Sequence, residues 1–187
     1  MSNKSELITR VKKYIISTCN ITEEEYKTDI RRYLKQTLKN LRYHNNELQK
    51  LRLQRRKLRE DIEDLEASMV GGELREPSEE GRNTGGRKNP PDFKVIQKMQ
   101  LQEELGNLLN ESLLLEKSLN DNNELMKEFI HTISNKNRQI VLELTYIDCM
   151  SNTKIANQMF YTIEYVDISR NRAVKSLVSI LESIEAK

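Results

Sequence analysis

Asn171, Arg172 and Lys175 bring a side-chain amide and two cations together within about one helical turn. An asparagine amide carries the donor–acceptor pair that matches an adenine edge, while arginine and lysine match phosphate oxygens. Lys154, Thr162, Glu164, Tyr165, Asp167, Ile168 and Arg170 precede them in the same stretch. If Val166 marks the centre of a buried helical face, Glu164, Ile168, Asn171 and Lys175 point outward. Asp167 and Arg172 then flank that outer face. Arg170 falls near the core edge, from which a long side chain reaches phosphate by snorkelling. Glu164 would accept from a cytosine amino group. Lys154 and the amides near Thr162 would add phosphate contacts. Two carboxylates oppose this chemistry, because Glu164 and Asp167 repel phosphate. The charges between Lys136 and Lys187 nearly cancel, so binding by one copy would be weak and a homodimer or partner protein is expected.

No other set of reactive residues has catalytic spacing. His44 and His131 lie far apart, without an acidic or cysteine cluster beside either. Cys19 and Cys149 form no metal-ligand or disulfide pattern, read as small buried hydrophobes, and point to a reducing compartment. Gly71-Gly72 and Gly85-Gly86 lack the strand–turn–helix context of a phosphate loop. Glu23-Glu24 sits where a helix should start and complements its dipole. The sequence therefore predicts no enzyme, metal, cofactor or small-molecule substrate.

The surrounding elements are all helical by pattern. Charged residues make up 32% of the chain and aromatics 5%, a balance that suits long exposed helices better than a compact globule. No stretch is apolar enough to span a membrane, and a cytoplasmic protein is expected. Leu7, Ile8, Val11, Tyr14 and Ile15 form one stripe of an N-terminal amphipathic helix, the first of three regions (1–20). The second region (21–133) is an arm. Thr22 and Glu25 have the form of a capping box, so a long helix should run from Thr22 to Ser68. Its three–four seam is Leu34, Thr37, Leu41, His44, Leu48, Leu51, Arg55, Leu58, Ile62, Leu65 and Met69. Residues 70–92 hold five of the six glycines and all three prolines, and read as a disordered loop. A second seam follows at Leu101, Leu105, Leu108, Ser112, Leu115, Leu119, Asn122, Met126, Phe129 and Ile133.

Residues 27–59 carry twelve Lys and Arg against Asp29 and Glu47, whereas residues 101–128 carry seven acids against Lys117 and Lys127. A basic helix and an acidic helix joined by a loop should pair antiparallel. Setting Met69 opposite Lys98 brings Arg55 to Ser112, His44 beside Asn122 and Leu34 to Ile133. Polar then meets polar, which favours this register because an unpartnered buried polar group is costly. The basic face reads first as this partner-matched surface, and only second as a track for a nucleic-acid backbone.

The third region (134–187) predicts three short helices. Ile140, Val141, Leu144 and Tyr146 mark the first. Ser151 caps the second, Asn152 to Met159, with Ile155, Ala156 and Met159 inward. After a tight Phe160-Tyr161 connection, Thr162 caps a last helix from Ile163 whose inner face is Val166, Ser169, Ala173, Leu177 and Ile180. This is the pattern of a trihelical helix-turn-helix. The expected fold is all-α: a long antiparallel coiled-coil hairpin followed by that domain.

One ungapped run from Asn137 to Leu177 resembles region 4 of sigma-70-type factors. It is most similar to the phage and prophage regulators, late-gene activators and autolysin-regulator-like proteins, that carry such a domain behind a helical arm. Leu142-Glu143-Leu144, Tyr146-Ile147-Asp148, Ser151, Ile155-Ala156, Thr162, Tyr165-Val166, Ala173, Lys175 and Leu177 carry the likeness. The resemblance implies binding to double-stranded DNA and, by analogy, activation of transcription, with RNA polymerase a candidate partner. The sequence departs from it at Phe160, where these regulators usually have the glycine of the turn. A DNA-packaging protein of small-terminase type and a structural coiled-coil adaptor are the competing readings.

Overall fold

The computed structural model describes residues 2–70 and 91–185; among these every regular element is an α-helix. In chain order the helices are α1 (Ser2–Cys19), α2 (Glu23–Thr28), α3 (Ile30–Val70), α4 (Pro91–Ile130), α5 (Lys136–Tyr146), α6 (Asn152–Met159) and α7 (Ile163–Glu185). The segment read as a loop, 70–92, lies outside the described residues except for Val70, which closes α3, and Pro91 and Asp92, which open α4. Proline is tolerated in a first turn because its missing N–H would have had no intrahelical acceptor.

Two compact units emerge, residues 1–47 with 115–187, and residues 48–114. The division falls inside α3 and α4, and the larger unit takes in both ends of the chain. The sequence instead suggests three consecutive regions.

In the larger unit, α1 buries Ile8, Val11 and Ile15, and packs against α7. Helix α7 buries more than the expected stripe. Val166, Ser169, Ala173 and Leu177 are buried as predicted, Ile180 is half-buried, and Val174, Val178 and Leu181 are buried as well. Full burial of a Leu, Ile or Val contributes roughly 1.5–3 kcal/mol.

The expected helix from Thr22 to Ser68 is broken. Thr22 and Glu25 do form the capping box, with the Glu25 amide donating to Thr22 Oγ1 at 3.2 Å and the Thr22 amide donating to Glu25 Oε2 at 2.8 Å. Helix α2 ends at Thr28, however, because Asp29 leaves helical geometry and restarts the chain as an N-cap. Its Oδ1 accepts from the Arg32 amide at 2.9 Å. Tyr26 and Ile30, on either side of the break, are both buried.

Within this unit the polar seam position is also corrected. His44 is exposed and meets the Tyr43 ring edge-on. Asn45 takes the buried place and exchanges two 2.9 Å hydrogen bonds with Asn123, donating a third to the Tyr146 carbonyl at 3.3 Å. Residues 30–47 have neighbours on more than one side, so burial spreads to Ile30, Leu38 and Asn45, beyond a two-helix seam.

In the smaller unit the expected Arg55–Ser112 pair is present, whereas Lys98, expected opposite Met69, pairs with Glu66. Arg55 Nη1 donates to Ser112 Oγ at 2.8 Å, Lys98 pairs with Glu66 at 2.8 Å, and Lys94 Nζ donates to the Ser68 carbonyl at 3.2 Å. Rising numbers on one segment meet falling numbers on the other, so the segments run antiparallel.

Candidate nucleic-acid interface

Helices α5, α6 and α7 enclose a small core of Val141, Leu144, Ile155, Ala156 and Val166, against which Ile140, Met150 and Met159 pack. Each helix begins on a side-chain cap. Asn135 accepts from the Arg138 amide, Ser151 from the Lys154 amide, and Thr162 from the Tyr165 amide, at 3.1, 3.3 and 3.2 Å. An N-cap of this kind contributes about 1 kcal/mol.

Phe160 makes the turn between α6 and α7 from the left-handed region, with φ 57° and ψ 41°. Its N–H reaches back to the α6 carbonyls, and the Tyr161 amide donates to the Ala156 carbonyl at 2.9 Å. Glycine is the usual residue at such a helix end because it has no Cβ to clash. Here the phenyl ring is 93% exposed, so packing does not offset the unfavourable backbone.

The ten residues singled out by sequence divide into two groups. Lys154 on α6, and Glu164, Ile168, Asn171, Arg172 and Lys175 on α7, are exposed. Val166 and Ala173 on the opposite side of α7 are fully buried. The other four have structural partners. Thr162 caps α7. Tyr165 lies against Tyr161 with ring centroids 4.4 Å apart, and the Tyr161 hydroxyl accepts from Asn137 at 2.9 Å. Asp167 accepts from Asn152 Nδ2 at 2.9 Å and is ion-paired to Arg170. Arg170 in turn donates to Asn152 Oδ1 at 3.0 Å.

The Asn152–Asp167–Arg170 set changes how two expected contacts are understood. Asp167 is only partly exposed and its charge is matched by Arg170, so it does not stand as a bare repulsive charge. Arg170 is held along α7 toward the start of α6, and does not extend freely. Asn152 was not legible as a functional residue, because it lies fifteen residues before Asp167 and no local periodicity links them. Glu164 occupies the first turn of α7, where a carboxylate also complements the helix dipole.

Two titratable groups behind the surface are shifted by burial. The Tyr146 phenol is raised above its ordinary value, opposed by the nearby charges of Arg170 and Arg42. Burial likewise raises the Cys149 thiol, with Arg42 opposing and Asp148 adding to the effect. Cys149 is half-buried and donates to the Arg42 carbonyl at 3.3 Å. His131 contacts Glu143 at 2.7 Å. Among the described residues no group of three or more His, Cys, Asp or Glu could hold a metal ion, and no helix is long and apolar enough to cross a membrane.

No known protein family matches the chain, and neither does any curated protein or solved structure.

Proposed function

We propose that this chain is a sequence-specific DNA-binding transcriptional regulator of phage or prophage type, with α6, the Phe160 turn and α7 acting as a sigma-region-4-like helix-turn-helix. The observation that carries the reading is the two-sided character of α7. Its inner face is closed by α5, α6 and α1, while Glu164, Ile168, Asn171, Arg172 and Lys175 stand exposed after a short turn. That arrangement suits a helix laid in a major groove.

In this reading Asn171 pairs with an adenine edge, Glu164 accepts from a cytosine amino group and Ile168 meets a thymine methyl. Lys154, Arg172 and Lys175 contact phosphates and set the register on the duplex. Three phosphate contacts contribute only about 2.7 to the log–log salt slope, so the regulator acts as a homodimer or beside a partner such as RNA polymerase. Residues 48–70 and 91–114 form part of a coiled-coil arm, the role is non-enzymatic, and the protein works in the cytoplasm.

Selection of bound sites from random duplexes tests the reading, followed by titration against the selected site at several salt concentrations. Replacing Arg172 and Lys175 by alanine should weaken binding to all sequences and lower the slope by about 1.8. Asn171→Ala should leave the slope unchanged and reduce discrimination between sites by about 1–3 kcal/mol. Failure to bind any duplex at low salt would rule the reading out in favour of a structural adaptor. A ring of many subunits in solution would point to DNA packaging.

A further inference from the structure

At Arg31, Lys35 and Lys39 the basic face of α3 does not find the acidic partner that charge patterning suggests. Arg10, Lys12, Arg56 and Lys98 pair with carboxylates. Among the described residues, no carboxylate lies within ion-pair distance of Arg31, Lys35 or Lys39. What borders Lys35 and Lys39 instead is α7. An open cleft within the larger unit is lined on one side by Lys35, Lys39, Arg42 and Asn46, and on the other by Arg170 and Asn171. No acidic side chain lines it. A second open groove shares Lys35 and Lys39 and continues to Arg31 and Arg32. Its one acid, Asp29, is engaged in capping α3 through the Arg32 amide.

This part of α3 is fixed to the three-helix module. Asn45 bonds both Asn123 and the Tyr146 carbonyl, and Arg42 Nη2 donates to the Met150 carbonyl at 3.2 Å. The cations therefore stand at a set position beside Asn171, which belongs to both the cleft and the outer face of α7. Their spacing distinguishes between ligands. From Arg31 to Arg42 the strip runs about 16 Å at 1.5 Å per residue, which matches a linear polyanion and is too extended for one small anion.

We propose that this cleft is a second DNA contact, in which Lys35 and Lys39 of α3 hold the phosphate backbone flanking the bases reached by α7. The proposal rests on the DNA-binding reading above. It also answers the near-neutral charge of the C-terminal module, since the missing cations come from the arm. Lys35 and Lys39 are the residues to vary, because Arg42 and Arg170 also hold the fold. Alanine keeps the helix at both positions.

The test is fluorescence anisotropy of a labelled random-sequence duplex with the full chain, over 50–200 mM salt, with circular dichroism to check helicity. Lys35→Ala with Lys39→Ala should lower the log–log slope by about 1.8, so the wild type loses about twelvefold more affinity than the variant across that range. Lys35→Arg with Lys39→Arg should restore the slope, and Asn171→Ala should not alter it. A slope unchanged by the Lys35/Lys39 substitution, but lowered by the Arg172/Lys175 one, overturns the cleft and leaves the DNA reading standing. The reverse pattern supports the cleft and removes α7 as the main contact. No binding of the wild type at 50 mM salt overturns both.

Discussion

Replacing Phe160 by glycine should stabilise the larger unit, although it deletes a whole aromatic side chain. The phenyl ring is 93% exposed, so almost no buried contact is lost. The backbone at φ 57° and ψ 41° costs an L-residue about 1–2 kcal/mol, through the clash of Cβ with the following carbonyl. Glycine removes that cost, but its freer unfolded chain takes back about 0.5–1 kcal/mol. At the middle of both ranges the net gain should be about 0.75 kcal/mol, equivalent to a rise of about 1.5–3 °C in Tm for a chain of this size. Because the chain forms two compact units, a local probe is preferable to a global one. Hydrogen exchange at the α6 and α7 amides should slow by about two- to fivefold, insofar as these amides exchange by opening of this unit. Phe160→Ala supplies the control, since alanine keeps the Cβ and should change protection little. If alanine stabilises as much as glycine, the gain comes from removing an exposed aromatic and the strain argument fails. If glycine destabilises, the turn does not occupy the left-handed region in solution.

Two further predictions concern the elements that hold the module in place. Asn45→Leu should cost about 1–3 kcal/mol, because it leaves the Asn123 amide and the Tyr146 carbonyl without their partner. Adding Asn123→Leu should recover part of the loss, and strict additivity in a urea double-mutant cycle would contradict the pairing. The Glu25 carboxylate is lowered from 4.5, first by the Thr22 amide and then by its hydroxyl. A depressed carboxylate stabilises the fold above its unfolded value, and that contribution is lost as pH falls through the folded value. The Thr22 amide resonance should therefore titrate with a midpoint below 4.5 and move back toward it in a Thr22→Ala background. A wild-type midpoint at or above 4.5 would refute the capping box.

Short-range signals account for what the sequence by itself determined. Ser151, Thr162 and the spacing of Ile155, Ala156 and Val166 mark α6 and α7 within the residues observed, because an N-cap acts only three residues ahead and a helical stripe repeats every three or four. Leu34, Leu41, Leu48 and Ile62 are buried as their spacing predicts, and Arg55 meets Ser112, because matching polar positions is a local test applied to two seams. The outward set Glu164, Ile168, Asn171, Arg172 and Lys175 was legible for the same reason, once Val166 was taken as buried. Only the tertiary structure decided the rest. Asn45 displaces His44 because residues 30–47 must also satisfy the Tyr146 carbonyl on a third helix, a demand invisible in a two-helix pattern. Asp167 and Arg170 turn inward because Asn152, distant in sequence, completes their hydrogen bonds. Val174, Val178 and Leu181 are buried beyond the stripe expected of α7, and Val174 borders residues of α3, far from it in sequence. Lys35 and Lys39 face α7 because the docking of α3 leaves their side of the helix over Asn171, and periodicity along one helix carries no information about which neighbour stands there.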